Sequence, residues 1–199
     1  MILAIDTSSA SCSAALFDEK GECVGSRDEL IGRGHSERLV PMIAELLDGA
    51  RPDQLLVGVG PGSFTGIRVG ISAAHGMAIG WGVELQGMSS LALLAAGISG
   101  PVAAAVAGGH GELFVQQFDA AGTAATMLNL TPAEAARAIT APLVVGSGAA
   151  RLVQERGWGE AEDRHPSAAD AMLLPEIQRH LPPKPVYARA PDAKPRQAA

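Results

Sequence analysis

Cysteine is scarce: Cys12 and Cys23 are the only two in 199 residues. Their spacing fits no metal or redox pattern, which excludes a disulfide scaffold and leaves two reduced thiols, as in a cytosolic protein. Aromatic residues make up 4% of the chain, so alanine and glycine must do much of the packing and backbones must approach closely. Basic charge is short as well: 15 Lys and Arg against 21 Asp and Glu give a net charge of −6. That excludes a free-standing nucleic-acid binder with a basic face, though not a subunit of an assembly that acts on nucleic acid. No run is long enough to span a bilayer. Leu85 to His110 holds no charged residue except His110, but Gln86, Ser89, Ser90 and the Ser99-Gly100-Pro101 break interrupt it, and a membrane helix needs about 20 continuous apolar residues. The opening MILAIDTSS has no basic region and meets Asp6 early, so no signal peptide is expected. With 47% hydrophobic and 18% charged residues, disorder throughout is excluded and a sizeable core is possible, in one large domain or two small ones.

Strand character in Ile2–Ser8, Ser11–Asp18 and Glu22–Glu29, with Lys20-Gly21 as a turn, predicts a three-stranded antiparallel meander. His35 to Leu47 carries Leu39, Met42, Ile43, Leu46 and Leu47 at helical spacing, and Pro41 inside it predicts a late start or a kink. Gln54–Val59 reads as a buried strand, Phe64–Trp81 as a helix, Val83–Gln86 as a strand and Ser89–Ala96 as a helix. Further on, Pro101–Gly108 and Glu112–Asp119 read as strands. Thr131, Pro132 and Glu134 start a helix over Thr131–Ile139, and the SAADAMLLPEIQRHL stretch reads as a helix kinked at Pro175. The order predicts an α/β protein, a mixed sheet with helices on its faces. Expected divisions are residues 1–96, a smaller second lobe over 97–184, and a tail over 185–199. No internal repeat is visible.

Two places invite chemistry. GPGSFTGIRVG (60–70) follows an apolar run and opens a helix. It lacks the lysine of a P-loop, since Ile67 follows Gly66, and its third glycine falls one place late for a dinucleotide fingerprint. A helix N-terminus with Ser63 or Thr65 as cap and Arg68 in its first turn could hold an anion. Against this stands a packing reading, which weighs more: Gly66, Gly70, Ala74 and Ala78 recur at i, i+4 and form a stripe that lets a helix or a sheet pack very close. The second place is Asp6, before Thr7 and Ser8, where a hard oxygen ligand beside hydroxyls could serve Mg²⁺ or phosphate. The alternative is that Asp6 caps its own turn. No second carboxylate stands at the neighbouring strand ends. The five histidines show no metal-binding spacing, and no G-x-S-x-G occurs.

ILAIDTSSASCSAALFD, GHSERLVPMI, VGVGPGSFTGIRVGISAAHGMAIG, GMSSLALLA and PVYAR (Pro185–Arg189), in that order, resemble the TsaB (YeaZ) family of tRNA threonylcarbamoyladenosine biosynthesis subunits. The likeness is strong over residues 1–96 and thin from 97 to 184. It implies an actin-like, ribonuclease-H-like fold of two lobes, the second reduced. It implies a non-catalytic, cytoplasmic subunit of the system that makes N6-threonylcarbamoyladenosine at position 37 of tRNA. Its partners would be the transferase TsaD, as a heterodimer, and the ATPase TsaE, with a homodimer in isolation and tRNA reached only through the complex. ATP and metal would belong to the partner subunits. The family's partner surface maps onto the helices at His35–Leu47 and Phe64–Trp81, which nominates His35, Arg38, Leu39, Met42, Gly66, Arg68, Gly70, Ile71, Ser72, Ala74 and His75 as contacts. Asp6, Thr7 and Ser8 are the cofactor candidates of the competing reading, a kinase-like enzyme using Asp6 and the Gly62–Arg68 turn on ATP. One departure stands out: where the family has an Asp-Ala-Arg-like stretch, this chain reads Ala107-Gly108-Gly109-His110-Gly111, without the acid and the base.

Overall fold

The computed structural model describes residues 1–186. Tyr187, Ala188 and Arg189 of the PVYAR segment, and nearly all of the expected tail, lie outside the described residues. Two five-stranded sheets form the frame. The first comprises β1 (Ile2–Asp6), β2 (Ser11–Phe17), β3 (Cys23–Leu30), β4 (Gln54–Gly58) and β5 (Glu84–Met88), in the order β3-β2-β1-β4-β5. The meander β1–β2–β3 is antiparallel, while β4 and β5 run parallel to β1. The second comprises β6 (Val102–Ala107), β7 (Leu113–Phe118), β8 (Leu128–Leu130), β9 (Leu143–Val145) and β10 (Glu160–Glu162), in the order β10-β9-β6-β7-β8. Its pairings repeat those of the first, two antiparallel and then two parallel. Helices repeat too. The first unit places α1 (His35–Leu47) and α2 (Phe64–Trp81) before its fourth and fifth strands, and the second places α4 (Pro132–Ala138) and α5 (Ala149–Arg156) likewise. The chain is therefore a structural duplication that its sequence does not display, with the second copy cut short: α4 and α5 have 7 and 8 residues where α1 and α2 have 13 and 18.

The layers follow from alternation along the strands. Leu3, Ile5, Leu55 and Val57 point to one face of the first sheet and pack beneath Leu39, Met42 and Ile43 of α1 and Ile67, Ile71 and Ala74 of α2. Ala4, Phe17 and Leu56 point to the other face and meet α3 (Ser90–Ala95), which also packs on Val102, Ala104 and Phe114 of the second sheet. α4 and α5 cover the far side of that sheet. Residues 85–110 are thus a strand, a short buried helix and another strand. No helix among the described residues is long and apolar enough to cross a membrane.

Two expectations change. α1 starts at His35 and carries Pro41 as its seventh residue, so it does not start late. The stretch expected as one kinked helix is a 3₁₀ turn over 168–173 and a single turn, α6 (Glu176–Arg179), because Pro175 holds Leu174 extended (ψ 139°). This C-terminal segment returns to the first sheet. The Ala168 amide donates to Ser13 Oγ (2.6 Å), Leu181 bridges the β5 edge at Gly87, and the Val186 amide donates to the Val59 carbonyl (2.9 Å).

Candidate functional site

The end of β1 and the start of α2 are built as one piece. The Ser63 hydroxyl caps α2, accepting from the Gly66 amide (3.2 Å), while the Ser63 amide donates to the Ser8 carbonyl (2.7 Å). The Thr7 hydroxyl donates to the Gly66 carbonyl (2.8 Å). This closeness requires glycine. A Cβ on Gly62 would lie 2.2 Å from the Ser8 carbonyl oxygen, on Gly66 2.1 Å from that of Thr7, and on Gly70 2.4 Å from Thr7 Oγ1. The small-residue stripe is therefore used inside the chain, to lay α2 on the first strand.

Asp6 lies beneath this junction and is 1% exposed. Its Oδ1 accepts from the Ser8 amide (2.8 Å) and hydroxyl (2.7 Å), and its Oδ2 accepts from Ser90 Oγ (2.6 Å). Ser90 Oγ in turn accepts from the Gly60 amide (3.1 Å). Gly58 passes flush against the carboxylate, where a Cβ would strike Oδ2 at 1.9 Å. Burial pushes the Asp6 carboxyl above its ordinary value, with the Ser90 and Ser8 hydrogen bonds and the charge of His35 opposing. This donor set, complete within the chain, ties β1, the loop before α2 and α3 together. Among the described residues no group of three or more His, Cys, Asp and Glu is placed to hold a metal ion.

The residues nominated for partner contact divide by position. Leu39, Met42, Gly66, Gly70, Ile71 and Ala74 are buried inside the chain, where they set the position of the two helices. His35 is buried too, its Nε2 lying 3.2 Å from the Ser11 carbonyl. Arg38 is gripped by two carboxylates, through Nε to Glu29 Oε2 (2.7 Å) and Nη1 to Glu45 Oε1 (2.8 Å), and it holds both below the usual carboxylate range. Arg68, Ser72 and His75 reach the surface of α2. The Arg68 guanidinium stacks over the Phe64 ring, 3.4 Å from its centroid, and His75 Nε2 lies 3.3 Å from the Pro183 carbonyl of the returning C-terminal segment.

Three apolar side chains outside that set also face outward. Ile79 is 82% exposed, Phe64 57% and Val40 of α1 53%. Gly76 and Gly80 flank Ile79 on either side in the sequence, are exposed, and have nothing within 4 Å of where a Cβ would sit. The available signal was apolar or small residues falling off the buried stripe of an otherwise regular helix.

Fold and junction together define an actin-like α/β protein of two lobes, the second reduced. Residues 22–153 match the family described as TsaD: tRNA N6-adenosine threonylcarbamoyltransferase, and the chain belongs to that family. Within it the likeness is to TsaB (YeaZ). The chain is 40% identical over 101 residues to the tRNA threonylcarbamoyladenosine biosynthesis protein TsaB of Escherichia coli strain K12, a match covering 48% of this chain and 43% of that protein. The match thus spans less than half of that relative's own length. Two solved structures cover 94% of this chain. One is an uncharacterized protein with similarity to peptidase YeaZ from Pseudomonas aeruginosa (TM-score 0.78, 28% identity, 99% of that chain), the other YeaZ from Pseudomonas aeruginosa (TM-score 0.73, 27% identity, 98% of that chain).

Proposed function

We propose that this chain is a non-catalytic, cytoplasmic subunit of the system that makes N6-threonylcarbamoyladenosine at position 37 of tRNA. It binds and activates a TsaD-type transferase through the exposed sides of α1 and α2. The observation that carries this reading is the outward side of α2, where a nearly fully exposed Ile79 stands between Gly76 and Gly80 with open space around both. An apolar side chain flanked by small residues lets a facing helix come close and bury it, which is the build of an interface centre. The same side serves a second copy in isolation, because a two-fold dimer uses one patch twice. ATP and metal belong to the partners, TsaD and TsaE, and tRNA is reached through the complex. A kinase-like reading would turn Asp6 toward a nucleotide, and the hydrogen bonds from Ser8 and Ser90 hold it inward.

The test is a depletion strain of the host organism, with the modified nucleoside in bulk tRNA measured by mass spectrometry. Wild type and Asp6→Asn restore it, and Gly76→Arg does not. Restoration by Gly76→Arg, or loss of ATP turnover by the isolated chain as the sole defect of Asp6→Asn, would overturn the reading.

A further inference from the structure

At the end of the first sheet opposite Asp6, where β1 and β4 begin, lies a cavity of about 410 Å³. That is within the range of sites that hold small molecules. Ile2, Leu56 and Met172 give it an apolar wall, Lys20 and Arg179 bring cationic nitrogen to its lining, and the His180 imidazole lines it beside them. Glu19 and Glu176 line it too, yet among the described residues neither forms an ion pair with Arg179.

Arg179 is the anomaly. It is half-buried, and its partner is the Met172 thioether, with Nη1 3.1 Å from Sδ. A guanidinium has five N–H donors and a fork that matches a carboxylate or phosphate in two parallel bonds, whereas a thioether is a weak acceptor that uses one of them. The other comparably sheltered arginines all reach oxygen acceptors: Arg38 on Glu29 and Glu45, Arg164 on Asp170, and Arg156 on the carbonyls of Ile139 and Ala141, with its face on the Trp158 ring as well. The His180 Nδ1 is committed to the Glu176 carbonyl (3.0 Å), which fixes the ring beside Arg179.

We propose that this cavity binds a small organic anion, with its carboxylate or phosphate on Arg179 assisted by Lys20, and its apolar body against Ile2, Leu56 and Met172. The site is independent of the α1 and α2 surface.

The experiment is a titration of the full chain with phenyl phosphate, benzoate, inorganic phosphate and phenol, followed by calorimetry and by the NMR resonance of the Arg179 side-chain N–H. Phenyl phosphate or benzoate saturates the site at or below about 1 mM and moves the Arg179 resonance; the tighter of the two names the head group. Arg179→Gln weakens binding at least about tenfold, the loss expected for a hydrogen-bonded charge. Lys20→Gln, an exposed position that leaves the fold intact, weakens it by a smaller factor. The proposal is overturned if neither organic anion saturates, if inorganic phosphate binds as tightly as phenyl phosphate, if phenol binds as well as the anions, or if Lys20→Gln and Arg179→Gln both bind like wild type.

Discussion

Gly70→Ala is the sharpest test of how α2 meets the first strand. The new Cβ would stand 2.4 Å from Thr7 Oγ1, about 1 Å inside ordinary contact, which begins at 3.4 Å. Thr7 must then rotate and lose its bond to the Gly66 carbonyl, or α2 must lift. Overpacking of this kind costs about 1–3 kcal/mol, and the lost hydrogen bond about 1 kcal/mol. Alanine returns about 1 kcal/mol of helix propensity over glycine. The net loss is about 1–3 kcal/mol, or roughly 2–12 °C in Tm for a chain of this size. The obstacle is a single side-chain atom. With Thr7→Ala added, the next atoms met are the Cβ of residue 7 and Val57 Cγ2, each at 3.7 Å, an ordinary contact. The double variant Thr7→Ala/Gly70→Ala is therefore more stable than Gly70→Ala alone, a coupling of at least about 1 kcal/mol in a double-mutant cycle. Gly66→Ala meets the Thr7 backbone carbonyl at 2.1 Å, and Thr7→Ala does not rescue it. Urea unfolding followed by circular dichroism measures the five variants and the wild type. A Gly70→Ala protein as stable as wild type, or equal rescue of both glycine variants, would refute the account of this junction.

Further outcomes follow from the same geometry. Ser90→Ala leaves the buried Asp6 Oδ2 and the Gly60 amide without a shared partner and costs about 2–5 kcal/mol in urea unfolding. Asp6 gives a pH signature. Its folded pKa is raised above the ordinary 3.8, so the folded chain binds the proton more tightly and the stabilisation is full below pH 3.8. It is lost as pH rises through the folded value. The stability of wild type relative to Asp6→Asn accordingly falls with rising pH across that window, and a flat or rising difference would contradict the burial argument. Pro41→Ala relieves an exposed proline inside α1 and raises the unfolding free energy by about 1–3 kcal/mol.

Much of this fold is legible in the sequence, and the reasons are local. The bounds of α1 and α2 follow from the apolar spacing of Leu39, Met42, Ile43 and Leu47 and from punctuation at Ser63 and Gly82, the latter in a left-handed conformation (φ 65°). The capping box at Thr131 and Glu134 forms as its spacing predicts. β8 and β10 escape notice because each has three residues, and Glu160-Ala161-Glu162 is paired through its backbone alone while its side chains face solvent. The duplication is hidden for a related reason: strand pairing repeats while side chains need only keep their alternation. The glycine stripe announces a close approach but not its object, and only the structure shows that the object is Thr7 of the same chain. The outward side of α2 is harder to read, because Gly76 and Gly80 fall two places off the i, i+4 phase of that stripe and have nothing of the chain within 4 Å of where a Cβ would sit.

The central claim is that the outward side of α2 is a binding surface, and Gly76→Arg tests it against a TsaD-type partner from the same organism. The substitution enters open space and improves helix propensity by about 1 kcal/mol, so the fold keeps or gains stability while the approach to Ile79 is blocked. Calorimetric titration should show wild type binding with a Kd below about 10 μM and the variant at least about 100-fold weaker, with unfolding free energy equal or higher. Equal binding by a well-folded Gly76→Arg protein, or no binding by wild type, would contradict the account.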